Sequence, residues 1–110
     1  MDIADWRKRI DDIDSQLVKL INERARIAQE IGRLKRNSQA PIYEPEREKL
    51  VFEHVCRVNG GPLPDRSLIQ VYERLIDVMR NLQKDEMLPA DSNRIDSSGG
   101  DTELEAELND

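Results

Sequence analysis

The sequence predicts an all-α protein with three helices per chain: one long, one short and one of intermediate length. Residues 5–36 contain no proline and a single glycine, Gly32. Their large apolar residues recur at alternating steps of three and four, which is typical of a long amphipathic helix. Beyond this segment, turn-forming residues separate two shorter apolar segments, which begin after Glu44 and near Asp65.

The first predicted helix is long for so small a chain. It should begin near residue 4, where Asp2 and Asp5 can cap free backbone N–H groups, and end near Asn37. Its length would be about 50 Å, and the rest of the chain cannot cover its whole apolar stripe, so association with a second chain is expected. Gly32 weakens a helix interior by about 1 kcal/mol relative to alanine. It therefore indicates a close approach by another helix or a ligand, with a neutral surface glycine as the alternative.

Turn residues also bound the second and third helices. Residues 37–43 are predicted to form a loop, and Pro45 to begin the second helix with Glu44 as its N-cap. This helix should end at Asn59-Gly60-Gly61-Pro62, and Asp65 should cap the third. An apolar stripe on the third helix is expected to pack along the first in coiled-coil fashion. The stripe consists of Leu68, Tyr72, Leu75, Met79 and Leu82.

From Pro89 onward the composition changes to serine, glycine and acidic residues. Residues 1–88 are therefore expected to form the folded domain, and residues 89–110 a disordered acidic tail. The net charge of −6 and the lack of a basic run argue against a nucleic-acid partner. No segment approaches the roughly 18 apolar residues of a spanning helix, and no signal-peptide pattern is seen, so we expect a cytoplasmic protein without membrane contact.

Cysteine and histidine are scarce. The single cysteine, Cys56, cannot form an internal disulfide, and together with the single histidine, His54, it makes no zinc-binding set. Both are interpreted as ordinary residues of the second helix. We therefore expect neither a metal ion nor a cofactor.

Cations lie on or beside the apolar stripe of the first helix. Lys35 follows Arg24 by eleven residues, which places the two about 20° apart around the helix axis. A salt bridge to another helix would explain one such cation, but three, counting Arg7, favour a small anionic ligand. Arg7 and Arg24 would be about 25 Å apart along one helix, more than a small metabolite spans. Both can contact one ligand only if Arg7 comes from a second chain.

A specific set of motifs completes the pattern. Asp14, Arg24 and Lys35 are followed by Pro45-Glu46-Arg47-Glu48 and, near the end of the third helix, by Leu82-Gln83. With this set, residues 4–88 closely resemble the all-helical class of chorismate mutases. The resemblance implies an intertwined homodimer in which two long first helices cross. It also implies two equivalent active sites, each completed by an arginine from the other chain.

The resemblance further implies how chorismate would be bound. Arg24 and the other chain's Arg7 would bind its two carboxylates, with Arg47 as a supporting cation. Glu48, with the backbone around Glu44, would hold the ring hydroxyl. Glu44 stands where aspartate is commoner in the family, so its role is weaker than that of Glu48.

The same resemblance assigns the catalytic pair. Lys35 and Gln83 would donate hydrogen bonds to the ether oxygen as chorismate rearranges to prephenate. Met79 stands where a small hydroxyl residue often contacts a carboxylate, so that contact is in question here. If Lys35 were instead only a salt-bridge partner of Glu48, it would support the fold and not the chemistry.

Two other functions compete with the mutase. The family includes isochorismate-pyruvate lyases, but these tend to lack acidic residues at the positions of Glu44 and Glu48. A helical dimerisation or regulatory module without activity is less favoured, because apolar residues on the stripe would give a more stable structural dimer. Docking on another enzyme of the shikimate pathway is left open.

Overall fold

The computed structural model describes residues 1–88, which form three α-helices. The helices are α1 (Ile3–Ser38), α2 (Pro45–Val58) and α3 (Asp65–Met87), and no strand occurs in this part of the chain. The prediction of an all-α fold with a long, a short and an intermediate helix is confirmed. The tail predicted for residues 89–110 lies outside the described residues.

The N-terminus of α1 is capped by two aspartates. The Asp2 carboxylate accepts from the Asp5 backbone N–H at 2.9 Å, and the Asp5 carboxylate accepts from the Asp2 N–H at 3.1 Å. This reciprocal capping box satisfies donors that the helix leaves free, as the sequence predicts. At the other end, Gln39 adopts the left-handed conformation with φ 59°, which ends the helix.

The starts of α2 and α3 differ in part from the predictions. Glu44 occupies the N-cap position of α2, but its side chain makes no capping hydrogen bond. The prediction that Asp65 caps α3 is wrong: Pro64, in an extended conformation, is the N-cap and Asp65 is the first helical residue. The Asp65 carboxylate instead accepts from the Asn59 side-chain amide at 2.7 Å, so it closes the turn between α2 and α3. Proline already has the fixed backbone angle needed there.

Helix α3 packs against both other helices. A small core of Val51, Val55 and Ile76 joins α2 to α3, with Phe52, Leu68 and Tyr72 packed against it. The prediction that the whole α3 stripe follows the first helix is therefore wrong for the first half of α3, which packs against α2.

The contact between α1 and the C-terminal half of α3 is close. A Cβ atom on Gly32 would lie 3.0 Å from the Gln83 Cα and 3.2 Å from the Gln83 carbonyl oxygen. One turn further along each helix, Arg36 Nη1 donates to the Glu86 carbonyl at 3.2 Å. The prediction that Gly32 marks the approach of another helix is confirmed, and the two helices run in the same direction here.

The N-terminal half of α1 is not buried by the rest of the described chain. Every residue from 1 to 23 is exposed, although the predicted apolar stripe runs along this half. Its large side chains remain about half exposed: Trp6 51%, Ile10 55%, Ile13 53%, Leu17 48% and Leu20 57%. We call these five residues the bare stripe. None of the three described helices is long and apolar enough to cross a membrane.

Candidate active site

A cavity of about 330 Å³ lies between the C-terminal half of α1, the first turns of α2 and the C-terminal half of α3. Its apolar wall is formed by Ile27, Ala28, Ile31, Ile42, Val51, Ile76 and Met79. Its polar lining includes six of the seven residues predicted from the sequence for the site. These are Arg24, Lys35, Glu44, Arg47, Glu48 and Gln83.

Lys35 lies at the centre of the polar lining, and its side chain is only 12% exposed. Its ammonium nitrogen lies 2.7 Å from Glu44 Oε1, 3.2 Å from the Ile42 carbonyl oxygen and 3.2 Å from Gln83 Oε1. These three oxygens match the three N–H donors of an ammonium group. The alternative named Glu48 as the salt-bridge partner of Lys35, and this partner is wrong. Lys35 pairs with Glu44, at the end of the loop before α2, and Glu48 pairs with Arg80.

The contact with Lys35 also orients the amide of Gln83. An ammonium group can only donate, so the amide oxygen must face it and the NH₂ group must face away. That NH₂ group has no acceptor among residues 1–88. The cavity therefore contains a neutral hydrogen-bond donor, on Gln83, that is held in place by a charged one, on Lys35.

The cavity carries an excess of positive charge. Four cations line it, Arg24, Lys35, Arg47 and Arg80, against two anions, Glu44 and Glu48. Each anion is paired with one cation, so Arg24 and Arg47 have no ion pair within the described part of the chain. The N-terminal end of α2, with its partial positive charge, adds to the field. Four positive and two negative side chains leave a net positive lining, which favours an anionic ligand.

Arg80 is a lining residue that the sequence analysis missed. Its guanidinium Nη2 donates to the Glu48 carboxylate, and its Cζ lies 4.9 Å from the centre of the Tyr43 ring. The hydrogen bond that Arg80 donates to Glu48 is the main cause that raises the pKa of Arg80 above its usual value. One signal was available: Arg80 precedes Gln83 by three residues, so both lie on the same face of α3.

Arg7 is the one predicted site residue that does not line the cavity. It lies in the exposed N-terminal half of α1, seventeen residues and about 25 Å along the helix from Arg24. Met79, only 3% exposed, lines the cavity, and its thioether offers no hydrogen-bond donor, only a weakly accepting sulfur. His54 and Cys56 both lie in α2 as expected, and Cys56 is a free thiol. Among residues 1–88, no group of acidic, histidine or cysteine side chains is arranged to hold a metal ion.

The family comparison agrees with this geometry. A family model for chorismate mutase type II matches residues 6–84. The chain belongs to this family. A chorismate mutase of Methanocaldococcus jannaschii is 34% identical over 83 residues, covering 74% of this chain and 84% of that protein. The resemblance drawn from the motifs is thus confirmed.

Two further family relatives differ in what they add. The bifunctional chorismate mutase/prephenate dehydratase of Aquifex aeolicus is 38% identical over 87 residues, 76% of this chain. The chain spans only 24% of the length of that relative. The crystal structure of a chorismate mutase from Helicobacter pylori in complex with prephenate superimposes with a TM-score of 0.71 at 26% identity. That match covers 77% of this chain and 92% of the other.

Proposed function

We propose that this protein is a chorismate mutase that converts chorismate to prephenate. One observation carries the proposal: in a chain of this family, a cavity places two unpaired arginines beside a lysine and glutamine hydrogen-bonded to each other at 3.2 Å. Chorismate carries two carboxylates and an ether oxygen. The arginines suit the carboxylates, and the Lys35–Gln83 pair suits the ether oxygen.

Substrate binding begins with the cations that have no anionic partner. Arg24 binds one carboxylate through a two-point guanidinium contact, and Arg47 adds positive charge at the mouth of the cavity. Glu48, held by Arg80, accepts from the ring hydroxyl. Glu44 supports this contact only weakly because its carboxylate is engaged with Lys35. Fixing both ends of chorismate folds its enolpyruvyl arm over the ring, which is the geometry the rearrangement requires.

The chemical step needs stabilisation of the charge that develops on the ether oxygen. As the C–O bond lengthens, negative charge grows there, and donors already in place bind the transition state more strongly than the ground state. Gln83 supplies its unoccupied NH₂ group. Lys35 supplies an N–H that is released when Glu44, which is 44% exposed, turns toward solvent or substrate. No nucleophile and no proton transfer are required in this step.

The active unit is a homodimer with shared sites. Two observations support it: the bare stripe on α1, and the position of Arg7 on the same exposed segment. When two copies bury these stripes against each other, Arg7 of the partner subunit can reach a cavity that Arg7 of the same chain cannot. It would bind the second carboxylate there.

The test is an absorbance assay of chorismate consumption with product analysis. The expected result is conversion to prephenate without release of pyruvate. Pyruvate release from isochorismate would instead assign the lyase reaction, and no turnover of either compound would leave a binding module. Arg24→Ala is the matched negative variant, because it removes an unpaired cation from the cavity without breaking an ion pair within residues 1–88.

A further inference from the structure

Arg80 is a cation of the cavity lining that already forms ion pairs within the chain. Its guanidinium donates to Glu48 Oε2, lies 3.5 Å from Asp77 Oδ1 through Nη1, and stacks on the Tyr43 ring. Arg24 and Arg47, in contrast, have no ion pair among residues 1–88. Arg80 is therefore poorly suited to bind a ligand carboxylate directly.

The contact of Arg80 with Glu48 is well shielded from water. The two side chains are 24% and 22% exposed, so their attraction is weakened less than that of a surface pair. Arg80 occupies Glu48 Oε2, while Glu48 Oε1 has no donor in the described part of the chain. One oxygen of the carboxylate is thus anchored and the other is left for a ligand.

The Arg80 side chain also joins three parts of the chain that meet at the cavity. Arg80 belongs to α3, Glu48 to the first turn of α2, and Tyr43 to the loop before α2. The guanidinium group of Arg80 packs on the face of the Tyr43 ring, and its Nη2 pairs with Glu48, so both contacts restrict the position of the Arg80 side chain. Removing Arg80 would free Glu48 to adopt other rotamers, because no other cation is paired with it among residues 1–88.

We propose that Arg80 is a positioning residue that fixes the Glu48 carboxylate for the hydroxyl group of the substrate. The inference rests on the proposed function, since it assigns Arg80 a task within that site. The hydroxyl is present in both the ground state and the transition state. Losing its contact with Glu48 therefore weakens the binding of both states equally. Such uniform binding appears in KM and not in kcat.

A double-mutant cycle with Arg80→Met and Glu48→Ala tests the proposal. Arg80→Met should raise KM for chorismate about tenfold, the lower end of what a hydrogen bond to a charged group contributes, with kcat within about threefold of wild type. Glu48→Ala should raise KM at least as much. Because both changes remove the same contact, the double variant should be no worse than Glu48→Ala alone. Arg80→Lys, which keeps the charge beside Glu48, should recover part of the loss.

Arg74→Met is the matched control, since Arg74 is also on α3 and pairs with the same Asp77 but lies at the surface. It should leave KM unchanged. If Arg80→Met does not fold by circular dichroism, Arg80→Lys takes its place in the cycle. If the increases in KM of the two single variants multiply in the double variant, or if Arg80→Met lowers only kcat, the role assigned to Arg80 is wrong while the proposed function stands. An inactive wild type would overturn the proposed function and this inference with it.

Discussion

The ammonium nitrogen of Lys35 has three oxygen atoms within 3.2 Å, which bears on how Lys35 acts. Its contacts are with the Ile42 carbonyl, Gln83 and Glu44. The first two lie in the partly buried interior, whereas Glu44 is 44% exposed and loses least when it returns to water. In the proposed mechanism, Glu44 is the contact that the substrate displaces, which leaves the Lys35 ammonium group to donate to the ether oxygen.

Lys35→Ala should lower kcat on the order of 10²- to 10³-fold, the range observed when one donor is removed from an oxyanion hole. Gln83→Ala should cost less, because its donor is neutral. Steady-state kinetics beside a circular dichroism melt measure the effect. Lys84→Ala is the control, because Lys84 is an exposed neighbour of Gln83 outside the cavity. A Lys35→Ala protein that melts early but turns over like wild type would assign Lys35 to the fold alone.

At the residue scale, the sequence identified most of the site but not its internal pairing. Arg24 and Lys35 were found because cations on an apolar stripe are unusual. Arg80 was missed because α3 carries many charged residues, and nothing local marks which of them faces the cavity. The pairing of Lys35 with Glu44 instead of Glu48 depends on the path of the loop before α2, which helical periodicity does not determine.

At the scale of elements, the close approach of α1 and α3 sets the distance between Lys35 and Gln83. Gly32→Ala should disturb it, because the new Cβ would meet the Gln83 Cα at 3.0 Å and Glu86 Cβ at 3.1 Å. Overpacking costs about 1–3 kcal/mol, which outweighs the gain of about 1 kcal/mol in helix propensity. We expect a lower melting temperature together with a lower kcat, because Gln83 is pushed away from Lys35.

Gly60→Ala is the control for this change, since no atom lies within 4 Å of a Cβ built there. Its kcat should stay at the wild-type value, and its melting temperature should stay the same or rise slightly. If Gly32→Ala were as stable and as active as Gly60→Ala, the contact between α1 and α3 would be looser than the structure shows.

The helices themselves were predictable from local signals: the capping aspartates, the proline at the start of α2, and the Asn59-Gly60-Gly61-Pro62 turn. The packing partner of each half of α3 was not predictable. Periodicity shows that a helix has an apolar face, but not which neighbour covers it. The role of Asp65 was missed for a similar reason, because its partner, Asn59, is set by the tertiary turn.

At the scale of the whole molecule, the described chain leaves a large part of its apolar surface exposed. Residues 1–23 are all exposed, and the bare stripe lies on them. Its burial would contribute roughly 25 cal/mol for each Å² of apolar surface removed from water. A second copy offers a stripe of matching chemistry and length, and a twofold dimer makes both contacts at once.

The proposed shared site predicts how mixtures of inactive variants should behave. Arg7→Ala keeps a normal Arg24, and Arg24→Ala keeps a normal Arg7. In a heterodimer of the two, one site takes both normal arginines and the other takes both substitutions. After free subunit exchange at equal amounts, half of the dimers are mixed, so about a quarter of wild-type activity should return.

The measurement is chorismate consumption before and after mixing, with exchange followed by differently labelled chains. The control mixes Arg7→Ala with the double variant Arg7→Ala/Arg24→Ala, which restores no complete site and should stay inactive. Demonstrated exchange without recovery in the first mixture would place both carboxylate contacts within one chain, and the bare stripe would then need another explanation.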